Sequence, residues 1–234
     1  MMRNSGRTDD NEKYFFPSSS HHSGVVQLMV ATSHLYLASR SPRRRELLTQ
    51  IGVNHSVLQV DVPEMPLAGE RPAEYVQRLA REKSLAGVTV MQALDLPERP
   101  VLGADTIVVS DGAILEKPRD KAQAHAMLKQ LSGRTHEVMT AVALSDHQQS
   151  ESRLSVTEVQ FRVLTDEEIS AYWDSGEPCD KAGAYAIQGL GAVFVSSLRG
   201  SYSGVVGLPI DMTVELMQIF GVPWWQPVKD QPDE

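Results

Sequence analysis

The chain of 234 residues has an ordinary globular composition, with 41% hydrophobic and 22% charged residues, which excludes a largely disordered protein. Its net charge of −8 opposes binding to nucleic acid or to an acidic membrane, so a site for an anionic ligand must be local. The single cysteine, Cys179, excludes an internal disulfide and is expected to be a buried thiol. Since no apolar run approaches the roughly 18 residues of a membrane helix, we expect a cytoplasmic protein.

Both ends of the chain differ in composition from its middle. Residues 1–33 are polar and have no period that could bury a face, so they predict a disordered N-terminal extension, with Met29 as an alternative first residue. Residues 221–234 are rich in proline and acidic side chains and predict a C-terminal tail. The catalytic domain is therefore expected within residues 34–220.

The first half of this domain alternates short apolar runs with helical patterns. Pro42 marks a helix start, while Gly52 and Gly87 are expected to follow helix ends. Asp111 and Gly112 predict a tight hairpin turn. The predicted elements are strands at 35–38, 56–60 and 101–109 and helices at 43–51 and 72–86.

The second half predicts antiparallel strands and further helices. Thr165 and Glu168 form a capping-box pattern at a helix start. The predicted elements are helices at 120–131, 165–175 and 209–220, strands at 135–145, 153–163 and 192–196, and a glycine-rich loop at 183–191. Parallel crossovers followed by a meander favour an α/β fold with a mixed central sheet flanked by helices.

The segment from Ser39 to Arg45 lies at a predicted strand-to-helix junction. Free backbone N–H groups, hydroxyls and guanidiniums there suit a polyphosphate, with at most one or two of the four arginines facing it. The alternative is a solvated basic helix face with Ser39 or Ser41 as the N-cap.

Asp105 lies inside an apolar strand, where a carboxylate is costly unless it is paired or binds a metal. A general base or a Mg²⁺ ligand is its natural role, and a turn cap at a strand end is the alternative. Lys117 after the hairpin, Lys83 on a helix and Glu64 in a loop are individually typical of solvated surface.

Gln188 lies in a glycine-rich segment that matches neither a Walker loop nor a dinucleotide fingerprint. Its amide could contact a base edge, although a bulged loop shaped for packing would have the same composition. Carboxylates with Lys and Arg, without a serine triad or a His/Cys cluster, suit metal-assisted attack of water on a phosphoanhydride.

Several motifs occur in an order that resembles the Maf family of nucleoside triphosphate pyrophosphatases. The resemblance covers residues 34–220. The motifs are LASRSPRR at 37–44, GADT at 103–106, EKP at 116–118, VMTAV at 138–142, YAIQG at 185–189 and VVGLP at 205–209.

The resemblance implies hydrolysis between the α and β phosphates with Mg²⁺ or Mn²⁺. It also implies an inosine triphosphate pyrophosphatase-like fold with a cleft between two lobes, and a homodimer. Asp105 would accept the proton of the attacking water and, with Glu64, hold the metal. The residues that would bind the phosphates of the substrate are Ser39, Arg43, Arg44, Lys83 and Lys117.

Arg43, Thr106 and Gln188 occupy the positions at which the substrate branches of the Maf family differ. Together they resemble the branch that acts on dTTP and UTP, because Gln and Thr can match the carbonyl and N–H edge of a pyrimidine. The alternatives are a sister branch acting on 7-methyl-GTP and a nucleotide-binding regulator of septum formation in cell division.

Overall fold

The computed structural model describes residues 33–226, so most of the predicted N-terminal extension and the last part of the predicted tail lie outside the described residues. The strands are β1 (Leu35–Leu37), β2 (His55–Val57), β3 (Val101–Ser110), β4 (Ala113–Leu115), β5 (Thr135–Ser145), β6 (Ser150–Phe161) and β7 (Val195–Arg199). The helices are α1 (Pro42–Gln50), α2 (Pro72–Ala93), α3 (Lys121–Leu131), α4 (Asp166–Asp174), α5 (Tyr202–Val206) and α6 (Ile210–Ile219).

One mixed sheet organises the described residues, with strand order β2-β1-β3-β5-β6-β7 and β4 beside the end of β3. β1 is parallel to β2 and to β3, because α1 and α2 act as crossover connections between them. β3, β5, β6 and β7 form the antiparallel part. The predicted α/β fold with a mixed sheet is confirmed.

Strand β3 is the centre of the molecule, and its two faces pack against different helices. Leu102 and Ala104 belong to an apolar cluster with α1 and α6. Ile107 and Val109 belong to a cluster with α2 on the other face. Because side chains alternate along a strand, the adjacent Asp105 and Thr106 point to opposite sides of the sheet.

One edge of β3 is open in its middle. β1 pairs with β3 as far as Leu102, and β4 joins the same strand from Val108 onwards. Between these two pairings, residues 103–107 pair with β5 alone among the described strands. The gap lies at the carboxyl end of β1, where ligands commonly bind in parallel α/β sheets.

Three local predictions are wrong. α2 does not end at Gly87 but continues to Ala93, because this glycine permits close packing instead of a helix end. A Cβ at position 87 would lie 2.5 Å from Cγ1 of Val101. Residues 192–194 of the strand predicted at 192–196 belong to a 3₁₀ turn, so that β7 begins only at Val195. α5 lies between the predicted strand and the helix predicted at 209–220, where no element was predicted.

The start of the predicted C-terminal tail is in contact with α1. The backbone N–H of Trp225 donates to the Ile51 carbonyl at 2.8 Å, and that of Gln226 donates to Gly52 at 3.0 Å. Trp224 packs against the apolar cluster of α1 and α6. None of the described helices is long and apolar enough to cross a membrane.

Candidate active site

A cavity of about 750 Å³ lies in the gap beside β3. All of the site residues predicted from the sequence line it, although they come from six separate segments of the chain. They are Ser39, Arg43, Arg44, Glu64, Lys83, Asp105, Thr106, Lys117 and Gln188. A set dispersed over 150 positions of sequence thus converges on one cavity, as a site for a charged ligand requires.

The Lys83 ammonium joins two carboxylates at the α2 side of the cavity. Its Nζ donates to Oδ1 of Asp105 at 2.7 Å and to Oε1 of Glu64 at 2.5 Å. Lys117 Nζ lies 3.7 Å from the other oxygen of Glu64. Burial alone would raise the pKa of Glu64, but the hydrogen bond and charge of Lys83, with the charge of Lys117, hold that pKa below its usual value.

Asp105 is placed by the packing of α2 against β3. It lies in mid-strand opposite Ala141 of β5, so the alternative of a turn cap is wrong. A Cβ at Gly103 would lie 2.3 Å from the Ala80 carbonyl oxygen and 2.5 Å from the Ser84 nitrogen, so only glycine allows α2 this close. That close approach brings Lys83, one residue before Ser84, to the Asp105 carboxylate.

Arg44 is held on the opposite face of the sheet by three protein acceptors. Its Nε donates to the Gly207 carbonyl at 2.8 Å, and its two terminal nitrogens donate to Ser39 Oγ at 3.0 Å and Thr106 Oγ1 at 3.2 Å. Burial lowers the pKa of Arg44 while the Asp105 charge raises it, and an arginine stays protonated under such opposing effects. The guanidinium therefore enters the site as a fixed cation.

Thr140 continues this network below the cavity. Its Oγ1 lies 2.7 Å from the Gly204 carbonyl and 2.9 Å from Thr106 Oγ1. Thr140 Oγ1 is the donor in both contacts, and since a hydroxyl carries one proton, that proton is shared between Gly204 and Thr106. Thr106 Oγ1 accepts from both Thr140 and Arg44, so hydrogen bonds link the cavity to α5 through these two threonines.

The basic segment contributes more to the cavity than expected. Arg40, Arg43 and Arg44 all line it, where at most two of the four arginines were predicted to face a ligand. Ser41 occupies the N-cap position of α1 without a side-chain cap, and Ser39 Oγ accepts from the Ser41 N–H at 3.2 Å. Ser41 is thus the N-cap by position, as the alternative held, but its side chain does not cap the first N–H groups of α1.

Three further cavity residues were missed from the sequence. Lys181 and its ion-pair partner Asp180 lie just before the glycine-rich loop 183–191, whose small residues indicated a ligand loop, but these two charges were not weighed. Tyr75 also lines the cavity, and its helical spacing is indistinguishable from that of a core residue. Burial and the charges of Asp105, Glu64 and Glu116 raise the pKa of Tyr75 to about 12.

Residues 34–220 match the protein-family profile described as Maf-like protein, which covers more than half of the chain. The chain belongs to the Maf-like family. It is 54% identical over 209 residues to a dTTP/UTP pyrophosphatase of Saccharophagus degradans, covering 89% of this chain and 97% of the relative. A dTTP/UTP pyrophosphatase of Aromatoleum aromaticum is 52% identical over 200 residues, covering 82% and 97%.

A comparison with solved structures also finds the Staphylococcus aureus Ham1 protein, at 12% sequence identity and a TM-score of 0.37. The overlap covers 54% of this chain and 71% of that one. The sheet order and the match to the family define the fold of this chain without this neighbour.

Glu64 and Asp105 have the chemistry to hold a divalent cation together with a substrate. No group of three or more His, Cys, Asp or Glu within residues 33–226 could hold a metal ion alone. Mg²⁺ commonly takes one or two carboxylates and completes its shell with substrate phosphates and water. Two carboxylates bridged by one ammonium in a cavity lined by arginines fit a cation that binds with a polyphosphate.

Cys179 does not take part in this arrangement. It is exposed, which corrects the prediction of a buried thiol. Its position in the 3₁₀ turn Glu177–Asp180, beside a buried proline, leaves its side chain on the outer surface.

Proposed function

We propose that this Maf-like protein hydrolyses dTTP and UTP to the nucleoside monophosphate and pyrophosphate. The observation that carries the proposal is the Asp105 carboxylate, held by Lys83 in a cavity that three arginines also line. A carboxylate would repel a polyphosphate unless it activates water or helps to hold a cation, so a site for binding alone does not explain it.

In the proposed mechanism, Arg43, Arg44 and Ser39 bind the triphosphate together with the N–H groups at the start of α1. Lys83 fixes Oδ1 of Asp105, and the carboxylate accepts the proton of the water that attacks the α-phosphorus. Lys83 and Lys117 offset the negative charge that develops on the leaving pyrophosphate.

A divalent cation, Mg²⁺ or Mn²⁺, would be held by Glu64 and Asp105, and when bound it would neutralise phosphate charge and polarise the phosphoanhydride. Gln188 is exposed at the cavity, where its amide can contact the N3–H and C4 carbonyl of thymine or uracil. Arg43 and Thr106 complete the proposed specificity set. The cytoplasmic location and the homodimer both stay predictions.

Asp105→Asn tests the catalytic assignment. We expect turnover to fall by about 10²–10⁴-fold while nucleotide binding is retained, because the amide keeps the shape but accepts no proton. Asp111→Asn is the matched control, since Asp111 is exposed on the hairpin that follows the same strand and asparagine tolerates its positive φ of 52°. Equal loss of binding and turnover would contradict the role of Asp105.

Product analysis by ³¹P NMR tests the reaction itself with dTTP, UTP, CTP, ATP, GTP and 7-methyl-GTP. Pyrophosphate with TMP or UMP is the expected result, whereas orthophosphate with a diphosphate would place the cleavage elsewhere. Preference for 7-methyl-GTP would favour the sister branch. Binding without any product would favour a nucleotide-binding regulator of cell division.

A further inference from the structure

The loop that carries Gln188 is held by two side chains behind the cavity wall. Tyr172 of α4 accepts the Ala186 N–H at its hydroxyl oxygen at 3.1 Å. Glu177 accepts the N–H groups of Leu190 at 2.9 Å and Gly191 at 3.0 Å. Both ends of the segment 186–191 are therefore fixed by side-chain acceptors, with Gln188 between them.

The two acceptors are also joined to each other. The Tyr172 hydroxyl donates to Oε1 of Glu177 at 2.7 Å, so that the single proton of Tyr172 is used by the carboxylate. Burial raises the pKa of Glu177, but the hydrogen bonds from Tyr172, Gly191 and Leu190 together lower it by more. The pKa of Glu177 therefore lies below its usual value. Glu177 is therefore a charged acceptor of three donors.

The glycines of the loop leave space for these two side chains. A Cβ at Gly189 would lie 2.1 Å from Oε2 of Glu177, and a Cβ at Gly191 would lie 2.7 Å from the Tyr172 hydroxyl. Neither glycine has a positive φ that requires it, so close approach of the carboxylate and the hydroxyl is the reason for glycine. The sequence Gln-Gly-Leu-Gly is thus complementary to Glu177 and Tyr172.

We propose that Glu177 is a positioning residue for nucleobase selection, fixing the segment 186–191 so that Gln188 is presented to a pyrimidine base. The inference rests on the proposed function, and it names a residue that lies outside the cavity lining and touches no substrate. Because a misplaced amide loses its hydrogen bonds to the base but leaves the phosphate contacts intact, Glu177 acts on discrimination between bases.

Glu177→Gln keeps the size of the side chain but replaces one acceptor oxygen by an amide donor. Since backbone N–H groups can only donate, at least one of the loop contacts becomes repulsive. We expect kcat/KM for dTTP and UTP to fall about tenfold, mainly through KM, and the preference for dTTP over CTP to fall by a similar factor. Inhibition by tripolyphosphate, which has no base, is expected to stay within about twofold of wild type.

Glu167→Gln is the matched control, because it makes the same change of charge on an exposed side chain of α4. Gly189→Ala provides an independent perturbation and should reproduce the loss of preference through its clash with Glu177. In a Glu177→Ala background the same alanine meets no carboxylate, so it should add little further loss, and the double-mutant cycle measures the coupling. Tyr172 and Glu177 together form a clamp on the segment 186–191. If Glu177→Gln lowers the melting temperature severely, Tyr172→Phe removes the other acceptor of this clamp instead.

An unchanged preference for dTTP over CTP in Glu177→Gln and Tyr172→Phe would overturn the proposal. So would a parallel loss of tripolyphosphate inhibition, because a general distortion of the site would then be the cause. Equilibrium binding of dTTP and CTP reports on the clamp without turnover. Failure of the wild type to cleave dTTP would therefore refute the proposed function separately from the role of Glu177.

Discussion

Replacing Lys83 by methionine removes the one ammonium group that lies between Asp105 and Glu64. Methionine keeps the length and most of the volume of the lysine stem, so packing against β3 is largely preserved. The two carboxylates are then left in the cavity wall without the donor that joins them. We expect lower stability at neutral pH from this change.

The magnitude follows from burial. Lys83 and Asp105 each have 11% of their side chain exposed, whereas Glu64 has 45% exposed and can turn to water. Removing one partner of a buried ion pair costs about 3–5 kcal/mol, and contact with the cavity places this case near the lower limit, at about 3 kcal/mol. Lys117 has 62% of its side chain exposed and lies 3.7 Å from Glu64, so Lys117→Met should cost about 0–1 kcal/mol.

Urea denaturation of the two variants and the wild type at pH 7 and pH 4 measures this difference. The folded pKa of Glu64 is lowered, so its contribution to stability is present above its ordinary pKa of 4.5 and is lost as the pH falls through the folded value. The deficit of Lys83→Met should therefore shrink towards pH 4. Equal deficits in Lys83→Met and Lys117→Met, or a deficit that does not depend on pH, would refute the reasoning.

Three other changes test the packing and hydrogen bonds around the cavity. His136 is buried at 2% exposure, and burial lowers its pKa to about 4. The unfolded state binds this proton below about pH 6.5 and the folded state only near pH 4, so the free energy of unfolding falls by about 3 kcal/mol between these values. Acid denaturation of His136→Gln should lack this dependence. Thr140→Val breaks the hydrogen bond that orients Thr106 towards Arg44 and should lower kcat/KM about tenfold, while Thr140→Ser should retain activity in the same assay. Gly103→Ala should lower the free energy of unfolding by about 2–3 kcal/mol, because its Cβ meets backbone atoms of α2, and unchanged thermal stability would contradict that packing.

Local sequence signals predicted much of the fold where local and tertiary requirements agree. The strand predicted at 135–145 has the bounds of β5, and the capping box at Thr165 and Glu168 begins α4 with both reciprocal hydrogen bonds. The signals failed where a distant contact decided the conformation. Gly87 resembles a helix end in sequence, yet it is needed inside α2 because Val101 of β3 packs directly against it.

Asp105, the basic segment and Gln188 were candidates from their chemistry, whereas Lys83, Lys117 and Glu64 entered only through the resemblance to the Maf family. The pairing of these side chains was not predicted. Lys83 and Asp105 are 22 positions apart, and a helical pattern alone does not place either of them on the shared face. Glu64 lies in a loop without periodicity, so only the folded chain shows it at the Lys83 ammonium. Glu177 gave no signal at all, because its role is defined by backbone N–H groups of a loop that follows it by 13 and 14 positions.

The open edge of β3 explains why an apolar strand carries a catalytic carboxylate in this proposal. A strand paired on both sides would enclose Asp105 in the core, where an ionised carboxylate is costly. Here β1 ends its pairing at Leu102 and β4 begins at Val108, so the segment between them forms the floor of a cavity. Asp105 and Thr106 point to opposite faces at this gap, and each contacts a cation, Lys83 from α2 and Arg44 from α1. One interrupted strand edge therefore brings the proposed base and the arginine proposed to bind phosphate to the same cavity from opposite sides of the sheet.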